Sequence, residues 1–153
     1  MLTPPSEVTH VLNLVGAQYP SGDEDKTNGL GGTYTTLAAS VRPTTLDAYV
    51  HAQRAIASSS GPAITNYAAA TNDPSGPHKN LSDAATAAEI IGFGHKVLSL
   101  IILGLKIGTI VSAASTAIEL FTSPEFSAMI LSLAREWLGR LKDVALNEVM
   151  AHA

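Results

Sequence analysis

The side chains best suited to chemistry are thinly spread in this chain. Five histidines stand at positions 10, 51, 78, 95 and 152, with no HExxH or other spacing that would set two imidazoles on one metal. There are no cysteines, which excludes disulfide frameworks, thiolate zinc sites and cysteine nucleophiles. Asp23, Glu24 and Asp25 are consecutive carboxylates, but three adjacent side chains point in different directions. Their position ahead of a helical pattern fits helix capping better than cation binding. Gly29, Gly31 and Gly32 lack the Lys-Ser/Thr of a phosphate cradle, and neither a G-x-S-x-G elbow nor a dinucleotide fingerprint occurs. The expectation is a protein that is not an enzyme and takes no cofactor and no metal. His95 lies in an apolar stretch and reads as an interior or interface histidine. Because imidazole is the side chain that changes charge near neutrality, it is also a candidate pH-sensitive position.

The composition points the same way. The 153 residues suit one domain with a real core, and 46% are hydrophobic against 14% charged, where about 25% charged is usual. So few charges leave small or apolar groups to cover the surface, which favours a life in contact with another protein. The formal net charge is −4 and the nine Lys and Arg are scattered singly. Nucleic-acid binding needs a concentrated cationic footprint, so it is excluded, and an anionic membrane surface is disfavoured for the same reason. The N-terminal residues have no basic n-region followed by an apolar stretch, so no cleavable signal peptide is expected.

The elements that would position any site are all helical. Val8, Val11, Leu12 and Val15 fall at helical spacing over residues 4–17, with Pro at the start and Gly16 near the end. After the turn Gln18–Gly22, a glycine-weakened helical pattern carries Leu30, Tyr34, Leu37, Ala38 and Val41 on one face. Glycines on that face permit a tight packing seam, or break the helix. Arg42-Pro43 is expected to break or kink the chain, with a helix resuming over 44–57 and a short one over 62–70. Residues 71–80 read as a linker. Ser82-Asp83 then caps a long helix over about 82–121, and Ser123-Pro124 opens an amphipathic C-terminal helix over about 124–150. The fold class is all-α: a single helical bundle with N-terminal helices over 4–70, the 71–80 linker and a long helical hairpin over 81–150.

The long helix carries only Glu89, His95, Lys96, Lys106 and Glu119 as ionisable residues between 84 and 121. At 100° per residue, His95, Ser99, Lys106, Thr109 and Thr116 form one narrow polar stripe. Gly104, Gly108 and Ser115 lie on nearly the opposite side, and Gly104–Gly108 spells GxxxG, a spacing that lets helices approach closely. The length satisfies the needs of a bilayer span, but a Lys at mid-membrane costs roughly 2.5–3.5 kcal/mol. Two distinct faces instead suggest a central helix enclosed by protein, with membrane insertion as the alternative.

The run Tyr19-Pro20-Ser21-Gly22-Asp23-Glu24-Asp25, following Pro5-Ser6-Glu7-Val8 and Leu12-Asn13-Leu14-Val15-Gly16, resembles a known pattern. It is similar to the WXG-like N-terminal helical domain of actinobacterial type VII (ESX) secretion substrates, including polymorphic toxins. There a W-P-x-G-D-E-D turn follows a short apolar helix, and a helix with a Trp and then a long small-residue helix come after it. Here Tyr19 replaces the first Trp, and Tyr34 stands where the second is usual. The resemblance covers about the first 120 residues, and its specific part is the 18–25 turn. It implies a targeting or chaperone-like module, with Tyr19, Pro20, Gly22, Asp23, Glu24, Asp25 and Tyr34 as partner or export recognition residues. Tyr19-x-x-x-Asp23 and Trp137-Leu138-Gly139 also match export patterns literally, but one lies in a turn near the N-terminus and the other inside a helix.

The expected function is a non-catalytic interaction and targeting module linked to type VII-like export. Its partner is another helical protein or a second copy, its helix-packing face is Gly104, Gly108 and Ser115, and its place is the bacterial cytoplasm before secretion. Two alternatives stand beside it, a membrane-inserting or pore-forming protein and a self-assembling structural subunit.

Overall fold

The computed structural model describes residues 1–151, so His152 lies outside the described residues. Among them the chain is all-α. The helices are α1 Ser6–Val15, α2 Glu24–Ser58, α3 Pro62–Asn72, α4 Pro77–Thr122 and α5 Ser127–Ala151, with a single 3-10 turn at Pro124–Phe126. The expected long apolar helix and C-terminal helix are α4 and α5. The bundle comprises two compact units, one of residues 1–28 with 94–151 and one of residues 29–93.

In the first unit α1 buries Val8, Val11, Leu12 and Val15, the stripe that an i, i+3, i+4, i+7 pattern places on one helix face. It stops at Gly16, whose left-handed φ of 69° lets the Ala17 N–H turn back to the Leu12 carbonyl at 2.9 Å. This face packs on Ala113 of α4, with Ile110, Ala117 and Leu138 around it. The Arg135 Nε of α5 donates to the Val15 carbonyl at 2.8 Å, placing a cation at the negative end of α1.

In the second unit the buried apolar residues are alanines, Ala38 on α2 and Ala85 and Ala88 on α4. Small side chains there let the helices approach closely. The tightest approach is at Gly92, where an added Cβ would lie 2.8 Å from Thr35 Cγ2 and 2.9 Å from the Gly31 carbonyl. The glycine-rich start of α2 is therefore a packing seam and an intact helix.

Three boundaries differ from the sequence expectation. Pro43 does not break α2, which runs unbroken from Glu24 to Ser58. Proline removes one N–H and crowds the turn before it, but here it stands exposed. The Ser40 carbonyl, one turn from Thr44, accepts a bond from the Thr44 hydroxyl at 2.9 Å. Arg42 also pairs with Glu89 of α4, tying the residue before Pro43 to a neighbouring helix. The connection before α4 is shorter than 71–80, because α3 reaches Asn72 and α4 starts at Pro77. Pro77 suits a first helical turn, where its missing N–H has no partner to lose. Ahead of it, Asp73 accepts from the Ser75 N–H and hydroxyl, each at 2.7 Å. Ser82 and Asp83 thus lie inside α4 and do not cap it. Ser123 precedes the 3-10 turn but makes no side-chain capping bond.

The seam predicts opposite outcomes for two glycines. Gly92→Ala should destabilise the protein by about 1–3 kcal/mol, since its Cβ meets backbone that cannot give way. Gly29→Ala, with open space around the new methyl, should stabilise α2 by up to about 1 kcal/mol. Denaturant unfolding of the two variants beside the parent checks both signs.

Candidate functional site

An ion pair between residues 82 positions apart organises the first unit. Lys106 stands in the middle of the most apolar stretch of the chain, and its side chain is 0% exposed. Its Nζ reaches Glu24 Oε2 at 2.6 Å, and Glu24 is 8% exposed. The second carboxylate oxygen, Oε1, accepts the N–H of Leu2. Tyr19 covers the pair, its ring centroid 5.9 Å from Lys106 Nζ and its hydroxyl donating to the Leu2 carbonyl at 3.3 Å. Burial raises the Tyr19 phenol above its ordinary value, and the neighbouring Lys106 charge pulls the other way. The Lys106 hydrogen bond, helped by the Leu2 N–H, brings the Glu24 carboxyl down from an ordinary 4.5 to about 2.

The rest of the turn supports this pair. Asp23 Oδ1 accepts the Lys26 N–H at 3.1 Å and its carbonyl accepts the Thr27 N–H, so Asp23 caps α2. Gly22 lies flush on α4, where a Cβ would sit 3.0 Å from Ile102 Cγ2. Pro20 is half-buried. Asp25 is exposed and pairs with the Met1 amino group. Of the sequence-derived recognition set, Tyr19, Gly22, Asp23 and Glu24 are thus held in the fold, and Asp25 faces outward. Tyr34 belongs to the second unit, half-buried on α2, away from this cluster in the chain. His95 is half-buried on α4.

The pair also sets the orientation of α4. Ser99, Lys106, Thr109 and Thr116 are buried, together with Ala113. Bulky residues occupy the opposite side: Leu100 is 67% and Ile118 64% exposed, with Ile107 and Val111 open between them. At 100° per residue, Leu100, Gly104, Ile107, Val111, Ser115 and Ile118 share a sector of about 80°. The helix is inverted relative to a soluble amphipathic helix, with its polar stripe inside and its apolar stripe outside. This corrects the expectation of an α4 enclosed on both faces. The small-residue set divides accordingly. Gly108 packs on α5, where a Cβ would lie 2.9 Å from Leu141 Cδ2, whereas Gly104 has nothing within 4 Å and Ser115 is exposed.

The outward strip continues onto α5. Val111 and Ser115 share a cleft of about 350 Å³ with Leu133 and Trp137, both half-exposed, over a floor of Ile130 and Ala134. Among the described residues no group of three or more His, Asp or Glu side chains is disposed to hold a metal ion. The cleft and the strip together present apolar side chains to the outside, with Ser112, Thr116 and Glu119 also lining the cleft.

Sequence reasoning placed Lys106 on the polar stripe but missed its partner. A cation within an apolar helix demands an anion, and Glu24 was among the three turn carboxylates already singled out. Arg135 and its bond to α1 carried no sequence signal.

Because folding depresses the Glu24 pKa, the pair contributes its full stability above about pH 4.5 and loses it as pH falls through about 2. Unfolding midpoints of the parent should decline across that window. Glu24→Gln should be less stable at pH 7 and lack this part of the decline; parallel pH profiles would refute the assignment. No protein-family model, curated protein or solved structure matches the chain.

Proposed function

We propose that this protein is a non-catalytic helical interaction module whose outward α4 strip is covered by a helix of another protein or of a second copy. The observation that carries this reading is the inversion of α4. Leaving Leu100, Ile107, Val111 and Ile118 in water forfeits roughly 25 cal/mol for each Å² of apolar area that a partner would bury. Gly104 at the centre of the strip lets a partner backbone come close, and the α4–α5 cleft offers a seat for apolar side chains.

The link to type VII-like export rests on the resemblance of Tyr19–Asp25 to the substrate turn. In this reading the module acts in the bacterial cytoplasm, before secretion. The internal roles of Asp23 and Glu24 direct the recognition test to the outward residues Ser21 and Asp25. In a host with active type VII secretion, Ser21→Ala combined with Asp25→Ala should lower export while the melting temperature is unchanged. Export at the parental level would remove the recognition role of the turn.

Membrane insertion is the second reading, favoured by one observation. Residues 97–118 contain no charge except the inward Lys106, and such a length spans about 33 Å as a helix, close to the ~30 Å hydrocarbon core. The apolar 18-residue stretch has a mean hydropathy of 2.1 and is only 22% buried. Liposome flotation separates the two readings. Under the interaction reading the protein stays in the soluble fraction and sediments as a concentration-dependent assembly, or as a complex with a co-expressed helical protein encoded beside it. Ile107→Glu with Val111→Glu should return either assembly to monomer. A monomeric parent that floats with vesicles would reverse the order of the readings.

A further inference from the structure

A cavity in the first unit lies between the 16–21 loop and α5. Its volume is about 540 Å³, within the range of small-molecule sites. Its walls are apolar where Leu105, Leu138 and Pro20 contribute, and its rim is cationic, because Arg135 and Lys142 both line it. Seven residues apart on α5, these two project from nearly the same side of the helix, about 10.5 Å apart along its axis. Gly139 lies between them on the cavity lining, and an added Cβ there would meet nothing within 4 Å. The chain therefore leaves an open floor between two cations.

These cations differ from the third on α5, Arg140. Arg140 is paired with Glu136 one turn earlier, at 2.5 Å, and the residues three and four positions from Arg135 and Lys142 include no acid. Arg135 spends its Nε on the Val15 carbonyl, which fixes the guanidinium at the cavity and leaves its terminal nitrogens for another acceptor. Among the described residues no carboxylate forms an ion pair with either side chain. A net-negative protein thus sets two cations, neither paired with a described carboxylate, over one cavity lined by both apolar and polar groups.

We infer that this cavity binds a carboxylate carried on a short apolar stem, with the carboxylate over Gly139 between Arg135 and Lys142 and the stem against Leu105 and Leu138. Guanidinium and ammonium donors favour a carboxylate through charge-assisted hydrogen bonds, and the apolar wall selects against small hydrated anions such as chloride. The carboxylate would come from a free medium-chain acid or from the C-terminus of a peptide ending in an apolar residue. The site rests on α5 and the loop, not on the outward α4 strip, so it stands or falls independently of the proposed interaction surface.

The test is a titration of the isotope-labelled full chain, followed through the amide signals of Gln18 and Gly139. Its arms are decanoate, decanol, a short peptide ending in Leu with a free carboxylate, and the same peptide amidated. Saturable shifts with decanoate identify a free acid as the source, and shifts with the free-carboxylate peptide identify a chain terminus. Either supports the site if the neutral counterpart binds at least about tenfold more weakly. Lys142→Gln should weaken binding several-fold and Gly139→Leu should abolish it, with circular dichroism unchanged in both. Arg135 is left intact because it also supports α1. Absence of saturable shifts in every arm overturns the proposal, as does equal binding of charged and neutral ligands or binding that survives Gly139→Leu.

Discussion

Lys106 carries an ammonium group into a place without water, and the first unit is arranged around that fact. An unpaired charge in such a place is among the most costly features a fold can contain, and removing one partner of a buried pair is far worse than never having had it. The carboxylate that answers it lies at the start of α2, which fixes where the chain must be when α2 begins. From that requirement follow the flush contact of Gly22 on α4, the covering ring of Tyr19 and the return of the chain at Gly16. The Leu2 N–H on the far carboxylate oxygen supplies a second donor, so the charge on Glu24 is shared between an ammonium and a backbone dipole.

The same constraint decides which way α4 faces. A helix has one orientation about its axis, and turning Lys106 inward carries Ser99, Thr109 and Thr116 with it, since all lie within about 100°. Their hydroxyls need no external partners. Thr109 and Thr116 donate to carbonyls one turn back at 2.8 and 2.9 Å, and Ser99 to Lys96 at 2.8 Å, so they bury as compact, satisfied groups. The bulky aliphatic residues then have only the outside left. Small residues at the inner contacts, Ala113 against α1 and Gly108 against Leu141, complete a core that holds closely approaching helices and relatively few large side chains.

Helical periodicity made the elements legible, and it gave the stripes on α4 their angles. What it could not give was the sign, because a polar stripe reads as outward in a soluble helix and nothing local says otherwise. The sign depended on Glu24, which sequence reading had assigned to recognition. Pro43 misled for a related reason. The rule that proline ends a helix is local, whereas α2 is held on either side of Pro43 by the Thr44 bond and by Arg42 on Glu89. Pro77 misled in the opposite direction, because it was counted with the loop residues before it when it opens α4. Within residues 18–25, the division into supporting and outward side chains depends on contacts with α4 and the N-terminus, which residue types alone do not reveal.

The ion pair also bears on the choice between the two proposed readings of the outward strip. Alone, α4 has the length and hydropathy of a bilayer span, but it is not alone on its inner side. Helix α5 lies against it at Gly108 with Arg135, Glu136, Arg140, Lys142 and Asp143 along its length, and a bilayer does not accept that group. Insertion of α4 would therefore require α1, the 16–23 turn and α5 to come away from it. That separation removes Glu24 from Lys106 and leaves the ammonium alone in the hydrocarbon. A helix laid along Leu100, Gly104, Ile107 and Val111 covers the same apolar area and disturbs none of the inner contacts. The buried pair thus weighs against a span and for a protein cover, because only the second leaves the charge answered.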